Sequence, residues 1–190
     1  MTMTDDGDLV VPAGGADDSA GGGGSRFYGK YRGTVVGNVD PLGIGRIQAL
    51  VPDVSAVLPS SWAMPCVPVT GPQSGVFVLP PIGAGVWVEF EQGDPDYPVW
   101  TGGFWGSPAE TPALARAGNP ASPSIVLQTV GQNTISVSDA PGAAGGILLK
   151  SGLASITVNQ QGITIQNGQG ASLVLTGPQV NVNLGALTVQ

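Results

Sequence analysis

The sequence contains no histidine and a single cysteine, and only 10% of its 190 residues are charged. Without histidine, the Ser-His-Asp and Cys-His catalytic triads, zinc ligation by histidine and a histidine-based pH switch are all excluded. One cysteine excludes a disulfide within the chain. Cys66 stands among apolar residues in WAMPCVPV, a setting that favours a buried, unreactive thiol.

Positive charge is also scarce, since 6 Lys and Arg residues face 13 Asp and Glu residues, for a formal net charge of −7. Such a balance opposes non-specific binding to nucleic acid or to anionic membranes. No apolar run reaches 18 residues, because Pro80 and Pro81 interrupt the best one. The first residues lack the basic and then apolar pattern of a signal peptide. We therefore expect a chain made in the cytoplasm, with no signal peptide and no transmembrane segment.

The chain is rich in glycine (31 residues) and proline (17 residues), and 42% of its residues are apolar and fall in alternating clusters. This composition is typical of a turn-rich, all-β protein. Residues 1–25 are rich in Asp and Gly and predict a flexible arm. Asp5, Asp6 and Asp8 lack the further oxygen ligands of a calcium site. Residues 107–124 are a Pro-rich linker with one short helical turn at ALARA.

Residues 26–106 predict a small closed barrel of short strands. Two strands, around 28–36 and 45–51, are joined by a turn that contains Asp40 and Pro41. The stretch GVWVEFEQGDPDYPVWTGGFWG (85–106) predicts a hairpin with strands at 86–91 and 97–101. Val86, Val88 and Phe90 would then point inward, with Glu89 and Glu91 on the wet face.

From residue 125 onward, apolar residues recur as i, i+2 pairs separated by turns rich in Gly, Asn, Gln and Ser. The pairs are Ile125/Leu127, Ile135/Val137, Ile147/Leu149, Ile156/Val158, Ile163/Ile165, Leu173/Leu175, Val180/Val182 and Leu187/Val189. No charged side chain follows Lys150 in the remaining forty residues. Strands with one narrow apolar face and open edges cannot stand alone in water.

Residues 125–190 therefore predict an intertwined trimeric β-helix or prism, in which each of three copies supplies one wall. Its predicted core consists of the pairs from Ile147/Leu149 to Leu187/Val189. A monomeric β-solenoid and a fibrous, aggregation-prone tail remain open as alternatives.

The hairpin at 85–106 resembles the one near the end of the N-terminal OB-fold in central spike proteins of contractile injection machines. These include the baseplate assembly protein V family of contractile-tailed phages, type VI secretion spikes and the spikes of extracellular injection systems. The shared motif falls on Val86, Val88, Phe90, Gly93, Asp94, Pro95, Pro98, Val99, Trp100 and Gly102. The stretch GTVVGNVDPLGIGRIQALVPD is similar to the opening hairpin of the same family.

This resemblance implies an all-β chain with an OB-fold barrel at 26–106 and a trimeric spike at 125–190. It implies a homotrimer that binds a separate hub protein and the inner tube of a baseplate, in a phage virion or an extracellular particle. A PAAR-repeat tip protein would contact Leu187, Val189 and Gln190, and the spike would transiently meet a target membrane. With an 18-residue linker and no His-x-His motif, neither a muramidase domain nor a metal-bearing tip is expected, and no cofactor is implied.

Two rival functions follow from the residues alone. Trp62, Trp87, Trp100 and Trp105, together with Arg26, Lys30, Arg32 and Arg46, could form an OB-fold platform for single-stranded nucleic acid. Glu89, Glu91 and Asp94 could serve an enzyme. Neither accounts for the charge-free C-terminal stretch, so we expect a structural protein that is not an enzyme and binds no nucleic acid.

Overall fold

The computed structural model describes residues 24–117 and 122–189, which form strands, turns and short 3-10 helices. The first seven strands are β1 (Tyr31–Gly37), β2 (Gln48–Leu50), β3 (Met64–Pro65), β4 (Thr70–Gly71), β5 (Ser74–Gly75), β6 (Gly85–Phe90) and β7 (Pro98–Phe104). Five of them form one sheet in the order β2-β1-β6-β7-β3, while β4 and β5 form a separate hairpin.

The two ends of this five-stranded sheet meet. The backbone N–H of Ile47, next to β2, donates to the carbonyl oxygen of Ala63 at 3.2 Å, and the N–H of Ala63 donates back to Ile47 at 2.7 Å. Ala63 directly precedes β3, which pairs parallel with β7. The sheet is therefore closed, as the sequence predicts, and its interior is sealed by the same chain.

Alternation along β6 fills this interior. Val86, Val88 and Phe90 are buried, whereas Trp87 and Glu89 between them are half-buried on the outer face. The remaining buried apolar residues are Val35, Ile47, Ala49, Val51, Ala63 and Trp100. Because successive side chains of a strand point to opposite faces, one face of each strand supplies the barrel core.

The first two strands are shorter than the sequence pattern predicts. Gly29 has φ +90° and Gly45 has φ +85°, conformations that interrupt an extended chain. The first strand consequently begins at Tyr31 and the second at Gln48. The hairpin strands agree better with the prediction, although β7 continues beyond Thr101 to Phe104.

The linker contains two 3-10 helices, Pro108–Glu110 and Ala113–Arg116, so the short helical turn expected at ALARA is confirmed. Ser124, which the sequence analysis assigned to the linker, already belongs to the following strand.

The C-terminal part is one sheet of eight strands. They are β8 (Ser124–Gln128), β9 (Thr134–Ser138), β10 (Gly146–Ser151), β11 (Ala154–Asn159), β12 (Gly162–Gln166), β13 (Ser172–Thr176), β14 (Gln179–Val182) and β15 (Leu187–Val189). Their order in the sheet is their order in the chain, and every pairing is antiparallel. Glycine is required at Gly162, since its φ is +146° and a Cβ there would overlap the carbonyl oxygen of Leu175.

The flexible arm, the acidic residues Asp5, Asp6 and Asp8, and the tip residue Gln190 lie outside the described residues. Among the residues that are described, no helix has the length and apolar character needed to cross a membrane.

Candidate assembly surfaces

The C-terminal sheet carries two straight columns of apolar side chains on one face. Residues paired across antiparallel strands point to the same face, and each predicted i, i+2 pair places one member in each column. The first column is Leu127, Ile135, Leu149, Ile156, Ile165, Leu173, Val182 and Leu187. The second column is Ile125, Val137, Ile147, Val158, Ile163, Leu175 and Val180, and the backbone of Val189 continues its register.

Both columns are open to solvent in the single chain. From β8 to β12 their side chains are between 36% and 69% exposed, and Leu187 is also exposed. With strands about 4.8 Å apart, eight strands make this apolar face roughly 34 Å long. A continuous apolar surface of this size needs a covering partner in water.

The other face of the same sheet is mixed in character. The side chains in register between the two columns point the opposite way and are Val126, Ser136, Leu148, Thr157, Thr164, Val174 and Asn181. Ser136 is buried and the other six are half-buried in the single chain. The columns, which are exposed from β8 to β12, are therefore the apolar surface that most needs a partner.

In the barrel, the motif at 85–106 is a hairpin with a tight turn. The turn contains the 3-10 helix Glu91–Gly93, in which Gln92 has φ +52°, and the N–H of Asp94 donates to the carbonyl oxygen of Glu91 at 2.9 Å. Thr101 is an extra residue in β7, because Trp87 pairs with Gly102 and Val88 pairs with Trp100. The motif residues thus form a strand, a turn and a bulged return strand.

The acidic residues of this hairpin are bound by basic residues of the same barrel. Lys30 Nζ lies 2.8 Å from Glu89 Oε1, and Arg26 Nη1 lies 3.0 Å from Asp94 Oδ2. The expectation that Glu89 and Glu91 share one strand face is wrong, because β6 ends at Phe90 and Glu91 begins the 3-10 turn. The described residues contain no group of three His, Cys, Asp or Glu side chains arranged to hold a metal ion.

The shortest and least exposed ion pair among the described residues of the barrel joins Arg46 to Asp40. Arg46 Nη2 contacts Asp40 Oδ1 at 2.6 Å, and the two side chains are only 17% and 4% exposed. The Asp40 carboxylate also accepts the backbone N–H groups of Leu42, Ile44 and Arg46. The hydrogen bond from the Arg46 side chain and then these backbone donors hold the pKa of Asp40 well below its ordinary value, although burial opposes them.

The four tryptophans do not form a platform. Trp100 is in the barrel core, where its Nε1–H donates to the carbonyl oxygen of Gly45 at 3.1 Å. Arg46 lies over the ring of Trp62, and Arg32 lies over the rings of Trp87 and Phe104. Trp105 is largely exposed.

The basic cluster proposed for nucleic acid is likewise engaged within the barrel. Arg26, Lys30 and Arg46 pair with carboxylates, and Arg32 stacks on aromatic rings. Arg46 is the least exposed of the four, since its side chain is half-buried against Asp40. The sequence signal for this ion pair was the Asp-Pro turn followed six residues later by arginine.

Cys66 corrects another expectation, because its side chain is exposed. The adjacent strand β3 has only two residues, Met64 and Pro65. The backbone N–H of Cys66 donates to the carbonyl oxygen of Trp100, but its thiol is not covered by the chain. An apolar neighbourhood in sequence therefore did not produce burial in space.

The barrel also has an apolar groove that sequence reasoning missed. It has a volume of about 530 Å³ and lies between the β4–β5 hairpin and the barrel wall. The exposed apolar side chains that line this barrel groove are Ile44, Met64, Val69, Val76, Phe77 and Val78. The ring of Phe77 packs beside Gly45. A Cβ at position 45 would lie only 3.2 Å from Cε2 of this ring.

Comparison with protein families gives two matches in chain order. Residues 31–105 match the type VI secretion system/phage-baseplate injector OB domain. Residues 124–188 match the phage baseplate V C-terminal trimerisation domain. No curated protein matches the chain.

Proposed function

The chain belongs to the phage baseplate V and type VI secretion spike family, and we propose that it is the central spike that a contractile injection machine drives through a target envelope. It is a structural baseplate protein with an OB-fold barrel and a C-terminal domain that forms a homotrimer. Its partners and its mechanical role are the parts that we propose.

One observation carries the proposal: the two apolar columns run the full length of a sheet that belongs to a trimerisation domain. Three such walls, with their columns turned inward, bury the columns along a common axis. Each wall is held by continuous backbone hydrogen bonds, and no charged side chain follows Lys150. A rod of this kind resists bending and unfolding when it is pushed along its axis.

We propose that the barrel groove binds the hub protein. The six exposed apolar side chains are clustered around one concave surface, whereas exposed apolar residues are ordinarily scattered singly. Such a groove can bind an apolar segment of a partner protein. The net negative charge of the chain favours a neutral or basic rim on that partner. The inner tube would then stack on the hub and the three barrels.

At the other end of the trimer we propose a PAAR-repeat tip protein. Within the described residues, β15 pairs with β14 on one side only, so its outer backbone groups can pair with a further protein. Leu187, at the end of the first column, is exposed there. A cap on this end would cover both the open backbone and the last apolar side chains, and would meet the target membrane first.

We infer a mechanical role without catalysis. The carboxylates of Glu89, Asp94 and Asp40 each contact a basic side chain of the same barrel. An acid–base pair in hydrolysis instead needs carboxylates that face a common substrate position. No cofactor enters the proposal.

The hub proposal is tested with Phe77→Asp in a producing strain that lacks the native gene. Phe77 is 68% exposed, so the barrel should fold and the protein should remain trimeric. A buried carboxylate in the contact would weaken hub binding strongly. We expect purified particles that lack the spike by immunoblot and deliver nothing to target cells.

The matched control is Val39→Asp, which places the same charge on an exposed apolar residue of the β1–β2 turn, outside the barrel groove. This variant should give particles with a normal spike content. Full incorporation and delivery with Phe77→Asp would refute the barrel groove as the hub site.

A further inference from the structure

Three exposed apolar residues of the C-terminal sheet lie outside the two columns. Among the described residues of this sheet, every other large apolar side chain that is exposed belongs to a column. The three exceptions are Val130, Leu153 and Leu184, which are 84%, 76% and 90% exposed. They are more exposed than any column side chain that the structure describes, so the single chain leaves most of their surface uncovered.

All three occupy turns on the same side of the sheet. In an antiparallel meander, successive turns alternate between the two sides. The turns at 129–133, 152–153, 167–171 and 183–186 share one side, which we call the apolar-turn side. The turns at 139–145, 160–161 and 177–178 form the polar-turn side, which has no Val, Leu, Ile, Met or aromatic residue.

Along the apolar-turn side, each turn contacts the next turn or the strand end beside it. Ser151 Oγ donates to Asn133 Oδ1 at 2.7 Å, and the N–H of Ser172 donates to Asn183 Oδ1 at 3.0 Å. Between these contacts, a Cβ on Gly168 would overlap Leu153. The three apolar residues therefore lie along a border that is held together by contacts within the chain.

The conformations of these turns do not require leucine. Leu184 has φ +56°, a left-handed backbone in which Gly or Asn is ordinarily found. Leu153 follows Gly152, whose φ of +58° supplies the left-handed residue of a type II′ turn, so a polar residue would serve equally well. An exposed leucine in a left-handed turn indicates a contact outside the chain.

Symmetry identifies the partner surface. In a threefold assembly the contacts are heterologous, so that one side of a wall meets the opposite side of the next wall. The apolar-turn side of one copy therefore faces the polar-turn side of its neighbour. The apolar surface nearest to that corner is the neighbour's second column, which lies closer to the polar-turn side than the first column does.

We propose that Val130, Leu153 and Leu184 close the corners of the trimer by packing over the second column of the neighbouring copy. This inference rests on the proposed trimeric spike and adds the residues that seal its corners. The columns form the core along the trimer axis, and the apolar-turn side excludes water from the contacts between neighbouring sheets.

The test compares two variants at left-handed turn residues on this side, Leu184→Asn and Gln132→Asn. Gln132 has φ +63° and is exposed, so asparagine relieves the same backbone strain there without removing an apolar contact. At equal concentration, we expect Leu184→Asn to lower the thermal midpoint of the trimer by about 4 °C or more. Gln132→Asn should leave it unchanged or raise it slightly.

A second variant, Leu153→Asn, keeps the type II′ turn and should lower the midpoint in the same way. If Leu184→Asn and Leu153→Asn both match or exceed the wild-type midpoint, the corner contact is refuted while the spike stands. Light scattering on the wild-type protein separates the two proposals, since three copies of 19.0 kDa give about 57 kDa. A wild-type monomer would overturn both.

Discussion

In the barrel, strand β6 directs Val86 and Val88 into an interior that the same chain closes, and both residues are fully buried. In the C-terminal sheet, strand β12 shows the same alternation, yet Ile163 and Ile165 remain 36% and 40% exposed. The two sheets differ because the barrel sheet closes on itself and the C-terminal sheet does not. The bonds between Ile47 and Ala63 join the ends of the barrel sheet, whereas β8 and β15 lie at opposite ends of an open one.

One alternating pattern thus produces two kinds of core. The barrel core is complete within a chain, and its stability should not depend on protein concentration. The core of the spike is divided among three chains, so that its stability includes the association equilibrium. All four tryptophans belong to residues 26–106, and their fluorescence can therefore follow the barrel separately.

The largest effect is expected from a charge in a column. Ile156→Asp would place three carboxylates close to one another on the trimer axis, where neither water nor a cation could compensate them. We expect the mass measured by light scattering to fall from about 57 kDa to the 19.0 kDa of one chain. Tryptophan fluorescence should show that the barrel is still folded.

The control for this variant is Thr176→Asp, at the end of β13 on the face opposite the columns. Thr176 is exposed, so the same charge stays in contact with water and the trimer should persist. Loss of the trimer in both variants would mean that charge anywhere on the sheet is disruptive, and the division into an inner and an outer face would be wrong.

A smaller effect, confined to the other core, is expected from Ile47→Ala. Ile47 is fully buried at the closure of the barrel, and such truncations cost about 3 kcal/mol of the free energy of unfolding. Denaturant titration followed by tryptophan fluorescence should show this loss equally at all protein concentrations, with the trimer mass unchanged. The exposed Ile82 supplies the comparison, since Ile82→Ala should change the free energy by less than about 0.5 kcal/mol.

The smallest effect concerns the turn that leads into that closure. Because the folded state depresses the pKa of Asp40, its carboxylate stabilises the barrel above the unfolded-state pKa of about 4. This contribution is lost as the pH falls from there toward the folded-state pKa. Asp40→Asn should therefore be less stable than wild type at pH 7, and the gap should narrow at pH 3.

Denaturation midpoints from tryptophan fluorescence at both pH values measure that gap. The two proteins differ at residue 40 alone, so the change of the gap with pH reports on Asp40. A gap of equal size at pH 3 and pH 7 would show that Asp40 is not held as a carboxylate by Arg46.

Local sequence patterns predicted much of this architecture. The i, i+2 pairs predicted eight strands and one apolar face, because a period of two residues is set by the extended backbone itself. The Gly-Asp-Pro stretch at 93–95 predicted the turn of the barrel hairpin, since these residue types adopt turn conformations readily. The two motifs that carry the family resemblance consist of residues that serve these local roles.

Contacts between distant segments could not be read from such patterns. The exposure of Cys66 and the partial burial of Arg46 against Asp40 both depend on how the folded segments pack around these residues. The barrel groove needs the β4–β5 hairpin to stand away from the wall. The placement of Val130, Leu153 and Leu184 on one side follows only from the full order of strands.

By itself, then, the sequence determined which side chains alternate and where the chain turns, because those properties come from the backbone and its immediate neighbours. The tertiary structure decided which apolar faces are closed within the chain and which are left for other copies. That decision depends on whether the ends of a sheet can meet: the barrel sheet closes through Ile47 and Ala63, and the eight-stranded meander does not.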